Sequence, residues 1–527
     1  MSMPVPLPRG GFVLQLESRQ SMPYSRKSDF GRIVHRRARC HFVAAPDTER
    51  VMKRSGRAVF SMLLVLFAIA QVEVASATPP MNQWSTTELA DRTIERRAVE
   101  AVFWGMPAVN FELMLQAFQK LNGMPNQVAY WSRPLDWKNQ TLTPNPDTIY
   151  VMPFYDVRNG PMVLEIPPAE DGSITGSIDD SWQNALEDVG SAGADKGNGG
   201  KYLIVPPNFK DSIPEGYIPV RSDTYRGYAI LRSNLKSGSD GDIAKAVAYG
   251  KQIRFYPLNG DAAQTTFVDA YGQMFDATIP YDARFFDALN RFVQVEPWLT
   301  RDKVMIDMLG SLGIRQGQPF APDAKTRRIF DSAALEARGS IEVQYEKVFV
   351  PPFNEGTHWA LPASPEVAEG MPDFFAKPDR YPIDGRAVTY SMAYFSAKQI
   401  GTGQFYLMTI KDKNGKWLDG RKTYRLNVPA NAPVRLYWSA TVYDGATHAL
   451  IRNMRWSSRS SNTPGLQKNP DGSVDVYFAP LAPAGKESNW IPTSSGGRFE
   501  VLFRLYGPEK PLFDKTWKLP DIESFRQ

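Results

Sequence analysis

The sequence predicts a mainly β protein with a helical insert, in which an N-terminal β-sandwich precedes a C-terminal jelly-roll-like sandwich. Apolar residues alternate with period two over residues 148–234 and again over 381–527, which predicts strands. Residues 240–348 have helical periodicity instead. The 42 prolines and 39 glycines, together with frequent aromatic residues, fit many short strands joined by turns.

Residues 52–77 have the three parts of a secretory signal peptide: a basic start, an apolar stretch over 59–70 and a small-residue cleavage site at 75–77. Residues 1–51 are interpreted as an upstream mis-start, with an extended n-region as the alternative. The protein is therefore predicted to be periplasmic or secreted, with no membrane span in the mature chain.

The composition after cleavage excludes several chemistries. The single cysteine, Cys40, lies upstream, and only His358 and His448 remain of the four histidines. Thiol catalysis, disulfides and zinc sites with three or more His/Cys ligands are excluded, and we expect no metal and no cofactor. The remaining 49 basic and 51 acidic residues give a net charge of −2. This charge provides no general attraction for nucleic acid.

The first element, within residues 78–235, is predicted to be a helix. Ser85 and Glu88 form a capping box, and apolar residues follow at helical spacing. Pro107 is expected to interrupt this helix, which resumes over 111–118. Strands are then predicted at residues 148–156, 162–166, 173–178, 201–205 and 225–232.

Residues 236–348 are predicted to form a helical subdomain, and the proline-rich residues 349–380 a linker. From residue 381 to 527 we expect strands and turns only, about eight strands ending with 516–519. Residues 434–443 alternate most clearly, which places Leu436, Trp438 and Val442 on one face.

Two segments contain candidate ligand-binding residues. In the first, Asn145, Asp147 and Tyr150 either line a pocket for a polar ligand or form a rigid turn that bonds local amides. The second pairs Asn489 and Trp490 with the neighbouring strand. That strand contributes Arg504 and Tyr506, so the set is Asn489, Trp490, Arg504 and Tyr506. These four residues suit a platform for a sugar ring, and equally the packed rim of a sandwich.

Once thiol and zinc chemistry are excluded, carboxylates are the most numerous side chains that could act in catalysis. They are concentrated in the first sandwich, as Asp147, Asp156, Asp179, Asp180, Glu187 and Asp188. Paired carboxylates hydrolyse glycosidic bonds without metal, and Asp147 is the candidate catalytic residue. Solvated surface residues or a calcium site are the alternatives. His448 is interpreted as a structural histidine, with a general base as the alternative.

Particular motifs resemble a known two-domain bacterial family. Residues 143–150 and 312–320 resemble the domain of unknown function 1254. Residues 424–426, 438–444, 469–473, 489–493, 504–508 and 517–520 resemble its companion, the domain of unknown function 1214. The resemblance implies an N-terminal sandwich with helices followed by a jelly-roll-like domain. It also implies a fold similar to viral double-jelly-roll capsid proteins and to a peptide N-glycosidase, and it brings no catalytic residues.

These observations lead to three functional hypotheses. The first is an exported protein that binds a small or glycan-like ligand between its two β domains, with homo-oligomerisation expected. The second is a metal-independent, glycan-directed hydrolase that uses carboxylates. The third is a capsid-like assembly unit.

Overall fold

A computed structural model describes residues 83–526, except 394–396, 400, 402 and 495. The predicted signal peptide and the residues before it lie outside the described residues. The helices are α1 Thr86–Lys120, α2 Asp240–Gly250, α3 Arg284–Val295, α4 Lys303–Ser311, α5 Ala324–Val348, α6 Pro365–Gly370, α7 Ile383–Met392 and α8 Lys510–Phe513.

The N-terminal strands form a sandwich, which confirms this part of the predicted fold class. They are β1 Gln127–Tyr130, β2 Asn139–Gln140, β3 Thr148–Asp156, β4 Met162–Ile166, β5 Ile174–Asp180, β6 Ala185–Gly190, β7 Gly200–Val205, β8 Tyr217–Arg221, β9 Arg226–Asn234, β10 Arg254–Pro257, β11 Phe267–Asp269 and β12 Phe275–Asp276. A six-stranded sheet, β11-β1-β3-β9-β5-β6, faces a four-stranded sheet, β10-β4-β7-β8, while β12 pairs with β2. Apolar side chains of both larger sheets share one core.

The C-terminal strands form two four-stranded sheets. They are β13 Gln404–Thr409, β14 Tyr424–Val428, β15 Val434–Asp444, β16 Ser458–Ser460, β17 Val474–Ala479, β18 Trp490–Pro492, β19 Phe499–Pro508 and β20 Glu523–Ser524. The sheet orders are β13-β19-β15-β16 and β18-β17-β14-β20, and a common apolar core lies between them. The finer expectation of a jelly roll stays a prediction.

Helix α1 departs from the prediction because it runs without interruption through Pro107. Its capping box is present as predicted, with Ser85 Oγ accepting from Glu88 N at 3.2 Å. Proline removes one helix hydrogen bond, but the helix residues around Pro107 are buried against the rest of the fold, and this packing keeps the helix continuous. Helix α1 is long and apolar enough to cross a membrane, yet 83% of its most apolar window is buried inside the protein.

Three other expectations need correction. The predicted helical subdomain also contributes β10, β11 and β12 to the N-terminal sheets. The region after residue 381 begins with helix α7, and residues 516–519 are not a strand. Leu436 does not share the face of Trp438: Leu436 is 46% exposed and Trp438 is buried. An irregularity in the pairing of β15 with β19 lies between Val434 and Tyr437 and shifts the side-chain alternation.

Candidate functional site

Several predicted site residues meet where the two sandwiches adjoin. Asn145 is 1% exposed, and its side-chain amide donates to the hydroxyls of Tyr437 at 3.0 Å and Tyr506 at 2.9 Å. Its backbone N–H donates to the Tyr150 hydroxyl at 3.0 Å. Asn145, Tyr150 and Tyr506 therefore belong to one buried hydrogen-bonded cluster, which we call the junction cluster.

Arg504 connects strand β19 to the loop before β3. Its guanidinium donates to Thr441 Oγ1 at 2.9 Å, to the Thr143 carbonyl at 2.7 Å and to the Tyr443 hydroxyl at 2.6 Å. The Tyr443 hydroxyl in turn donates to the Pro144 carbonyl at 2.6 Å. The resulting contacts hold the 143–147 loop against the C-terminal sandwich.

Asp147 is the last residue of this loop. Its backbone N–H donates to Asn145 Oδ1 at 3.0 Å, which is the local turn contact that the rigid-turn interpretation predicts. Burial raises the pKa of the Asp147 carboxyl, while hydrogen bonding from Ser458 and the charge of Arg504 oppose that rise. The fraction of this carboxyl that is protonated is therefore higher than in water at the same pH.

The junction cluster also contains Arg232, which sequence reasoning missed. Arg232 is on strand β9, is 3% exposed, and its guanidinium lies 5.3 Å from the centre of the Tyr150 ring. Arg232 and Arg504 both line a small closed cavity of about 10 Å³. Burial of this arginine has no local sequence signal, because Arg232 directly follows the apolar run 228–231 in a strand that is buried along its whole length.

Asn489 and Trp490 lie elsewhere. The Asn489 side chain exchanges hydrogen bonds with the backbone of Gln467 and donates to the Asp475 carbonyl, each at 2.8 Å. Trp490 Nε1 donates to the Ala479 carbonyl at 2.8 Å, and its ring packs edge-on against Trp456. Such contacts are expected if Asn489 and Trp490 form the packed rim of the sandwich. Neither residue lines the small cavity at Arg232 or the larger cavity described next.

A larger open cavity of about 380 Å³ separates the helical segment from the C-terminal sandwich. We call it the interdomain cavity. Helix α5 forms one wall, and loops of the C-terminal sandwich form the other. Its side chains combine the rings of two tyrosines and a tryptophan with polar and charged groups: Tyr281, Arg338, Glu342, Tyr345, Glu346, Ser391, Trp417, His448 and Arg498.

His448 is backed by a buried carboxylate in this cavity. Its Nδ1 lies 2.9 Å from Glu500 Oε1, and the Tyr345 hydroxyl donates to Glu500 Oε2 at 2.7 Å. Glu500 is fully buried, and Nε2 of His448 has no protein hydrogen-bond partner within the described part of the chain. Burial lowers the pKa of His448, but the charge and hydrogen bond of Glu500 outweigh it, so the pKa is raised above 6.5.

The backbone at His448 is held in an unusual conformation. His448 has φ of 56° and Thr143 has φ of 40°, both in the left-handed region that non-glycine residues seldom occupy. The two residues are hydrogen-bonded to each other: the Thr143 N–H donates to the His448 carbonyl at 2.7 Å. Such strain persists where surrounding structure enforces it, and it is common at functional sites.

Most charges at the cavity have partners. Arg338 pairs with Glu342 at 2.8 Å, and Glu346 lies 3.6 Å from Lys411. Arg498 lies 4.4 Å from the Trp417 ring and is exposed, and within the described residues it has no ion pair. Its guanidinium edge is therefore available to an anionic group.

The other predicted carboxylates are engaged in the N-terminal sandwich. Asp156 pairs with Arg158, Glu187 pairs with Lys398, and Asp188 accepts from the backbone of residues 398 and 399. Asp179 accepts from Ser177, and Asp180 accepts from Asn184. None of these five lines the interdomain cavity. Over residues 83–526, with the gaps stated above, no group of three or more His, Cys, Asp or Glu is arranged to hold a metal ion.

Comparison with protein families matches both halves of the chain. The family described as protein of unknown function (DUF1254) matches residues 125–257, and protein of unknown function (DUF1214) matches residues 403–510. The chain thus carries both domains. The DUF1254 match covers most of the N-terminal sandwich, and the DUF1214 match covers β13 to the end of β19 and so includes His448 and Glu500.

One solved structure agrees with this fold. The VPA0106 protein of Vibrio parahaemolyticus is 17% identical, with a TM-score of 0.53 over 82% of this chain and 100% of that chain. A putative uncharacterized protein from Burkholderia cenocepacia is 11% identical, with a TM-score of 0.36 over 83% of this chain and 95% of that chain. No curated protein matches this sequence. The likeness to VPA0106 supports the architecture alone.

Proposed function

We propose that this chain is an exported protein that binds a small ring-shaped ligand carrying one negative charge, such as a sugar acid, in the interdomain cavity. The supporting observation is that a cavity of about 380 Å³ combines Trp417 and Tyr281 with the unpaired guanidinium of Arg498. Aromatic faces bind sugar rings, and a guanidinium binds a carboxylate in bidentate geometry. The cavity lies within the size range of small-molecule sites.

The charge of the cavity supports a singly anionic ligand. The Arg338–Glu342 and Lys411–Glu346 pairs each sum to zero, and His448 balances Glu500 when its imidazole is protonated. Arg498 is left as the surplus charge. A ligand with several negative charges would meet the carboxylates of Glu342 and Glu346 without compensation.

The test is isothermal titration calorimetry with the methyl glycosides of glucuronate and galacturonate, and with glucose as the neutral control. Arg498→Ala and Trp417→Ala should each weaken uronate binding at least tenfold, which is the loss of one charged or stacking contact. Arg421→Ala and Trp490→Ala are matched controls, because both residues lie outside the cavity. Equal uronate binding by all four variants would contradict the proposal, and so would tighter binding of glucose.

His448 favours a second function at the same cavity, namely acid–base catalysis on the bound acid. Its Nδ1 faces Glu500 and its Nε2 lacks a protein partner in the described structure, which is the arrangement of an oriented general base. In an elimination, neutral Nε2 would take the proton from the carbon beside the carboxylate. The C–H electrons would form a C=C bond, the adjacent C–O bond would break, and the leaving oxygen would receive a proton from the imidazolium.

This second function is tested with oligouronides, by following the ultraviolet absorbance of the conjugated product. His448→Gln should abolish turnover and preserve binding, whereas His358→Gln should change neither. His358 is a matched control because its Nδ1 also faces a carboxylate, that of Asp521 at 2.7 Å, outside the cavity. Binding without turnover in the wild type would reject catalysis and leave the ligand-binding proposal intact.

A further inference from the structure

Two buried arginines from different domains meet at one small cavity. Arg232 comes from β9 of the N-terminal sandwich and is 3% exposed, and Arg504 comes from β19 of the C-terminal sandwich and is 2% exposed. Both line the cavity of about 10 Å³ in the junction cluster. Two guanidinium groups in one desolvated space repel each other unless negative charge lies between or beside them.

No carboxylate forms an ion pair with either arginine in the described part of the chain. Arg504 is bonded to carbonyl and hydroxyl oxygens, which are neutral acceptors. The Arg232 guanidinium is hydrogen-bonded to the neutral Tyr150 hydroxyl, and its Nε is buried without an acceptor. An isolated buried charge costs far more than a paired one, so this pair of cations lacks its natural complement.

The nearest titratable groups supply little of that complement. Asp147 attracts Arg504, and Asp179 attracts Arg232, but neither carboxylate is within ion-pair distance. Burial raises the pKa of both carboxyls, which favours their neutral forms. The Tyr406 hydroxyl also borders the cavity, and burial raises the pKa of this phenol well above 10. Of the remaining lining residues, Thr143 is polar and the others are apolar: Pro362, Met392, Ala393, Met408 and Leu502.

We propose that Arg232 and Arg504 hold one buried monatomic anion of about chloride size. The volume of about 10 Å³ admits a single small occupant and excludes a carboxylate or a phosphate. A monatomic anion accepts hydrogen bonds from any direction, so it suits donors that approach from two separate sheets. The anion links the two sandwiches, because one guanidinium comes from each.

The site is distinct from the proposed sugar-acid cavity, and the two fail or succeed separately. Binding of an anion to the folded state alone stabilises that state in proportion to the logarithm of its concentration. The melting temperature should therefore rise by about 2–5 °C when sodium chloride replaces sodium gluconate at equal ionic strength. Gluconate is too large for this cavity and serves as the control anion. Because gluconate is itself a sugar acid, Arg498→Ala, which lacks the guanidinium proposed to bind such a ligand, is measured in the same salts.

The first experiment compares melting temperatures in sodium chloride, bromide and gluconate for the wild type, Arg232→Met and Arg421→Met. The wild type and Arg421→Met should be stabilised by both halides, and Arg232→Met should lose that dependence. Arg421 is the matched control because it is an exposed arginine of the C-terminal sandwich. Equal halide effects in all three proteins would overturn the proposal.

The second experiment does not depend on any variant folding. A wild-type crystal grown in sodium bromide should show an anomalous difference peak between the guanidinium groups of Arg232 and Arg504. A neutral water at that position, with no anomalous signal, would overturn the proposal even if halides stabilise the protein by another route.

Discussion

Strand β9 contains two buried arginines with opposite surroundings. Arg226, at its start, is 6% exposed; its guanidinium donates to Glu296 Oε1 at 2.6 Å and lies 3.2 Å from Glu112 Oε2. Arg232, six residues on, is 3% exposed and has no ion pair in the described part of the chain. Carboxylates of the protein therefore neutralise Arg226 at the start of the strand. At the other end, which contacts the C-terminal sandwich, no carboxylate of the described residues pairs with Arg232.

This difference separates a structural role from a binding role. Carboxylates from α1 and from the end of α3 surround Arg226, so its charge is satisfied within the N-terminal half of the molecule. Arg232 faces the C-terminal sandwich, where Arg504 contributes a second positive charge. Buried charge that the protein does not balance is a common property of ligand sites.

The largest predicted effect is that of Arg226→Met. This substitution leaves Glu112 and Glu296 buried without their shared cation, which should lower the free energy of unfolding by roughly 3–5 kcal/mol. Urea denaturation followed by circular dichroism measures the loss. Arg421→Met should leave the urea midpoint almost unchanged, because exposed ion pairs contribute little. A loss below 1 kcal/mol for Arg226→Met would show that the paired arginine contributes no more than the unpaired one.

An intermediate effect is predicted for Glu500→Gln, which removes the negative charge from the buried pair of Glu500 and His448. Glu500 raises the pKa of His448, so the pair stabilises the folded state fully below the unfolded pKa of about 6.5 and loses that contribution as pH rises through the higher folded value. The charged groups that face His448 are Glu500, Asp444 and Arg338, and the Tyr345 hydroxyl donates a hydrogen bond to Glu500.

The variant should therefore lose about 1–3 kcal/mol at pH 6 and less at pH 9. Nuclear magnetic resonance titration of the imidazole should show a lower pKa for His448 in Glu500→Gln than in the wild type. His358→Gln identifies the second histidine signal. Equal stability losses at both pH values would mean that Glu500 acts through packing rather than through its charge.

The strands were predictable where the local pattern was strong. Residues 148–156 and 162–166 were predicted with the bounds that the structure has, because their β propensity and flanking turn residues agree with the fold. Helix α7 was missed because its sequence contains Gly385 and β-branched residues, which are weak helix formers. Burial of its last seven residues against the rest of the fold decides its conformation.

The candidate sites were predictable only in part. Polar and aromatic residues that are close in the sequence singled out Asn145, Tyr150, Arg504 and Tyr506. The fold brings them together where the sandwiches adjoin, and their role in ligand binding stays a prediction. His448 was interpreted as structural because its partners are distant in the sequence. Glu500 follows it by 52 residues, and Tyr345 precedes Glu500 by 155 residues. Arg232 was missed for the same reason, since only the pairing of the two sandwiches brings it to Arg504.

The smallest predicted effect is that of Arg232→Met, and it provides the direct contrast with Arg226→Met. Replacing an unpaired buried cation with an apolar side chain of similar length removes a desolvation penalty and leaves no carboxylate without a partner. The free energy of unfolding in sodium gluconate should therefore change by less than about 1 kcal/mol, with stabilisation as the favoured direction. Urea denaturation of both variants in the same buffer makes the comparison. A loss for Arg232→Met equal to that of Arg226→Met would mean that a protein carboxylate already neutralises Arg232, and that the two ends of β9 follow the same rule.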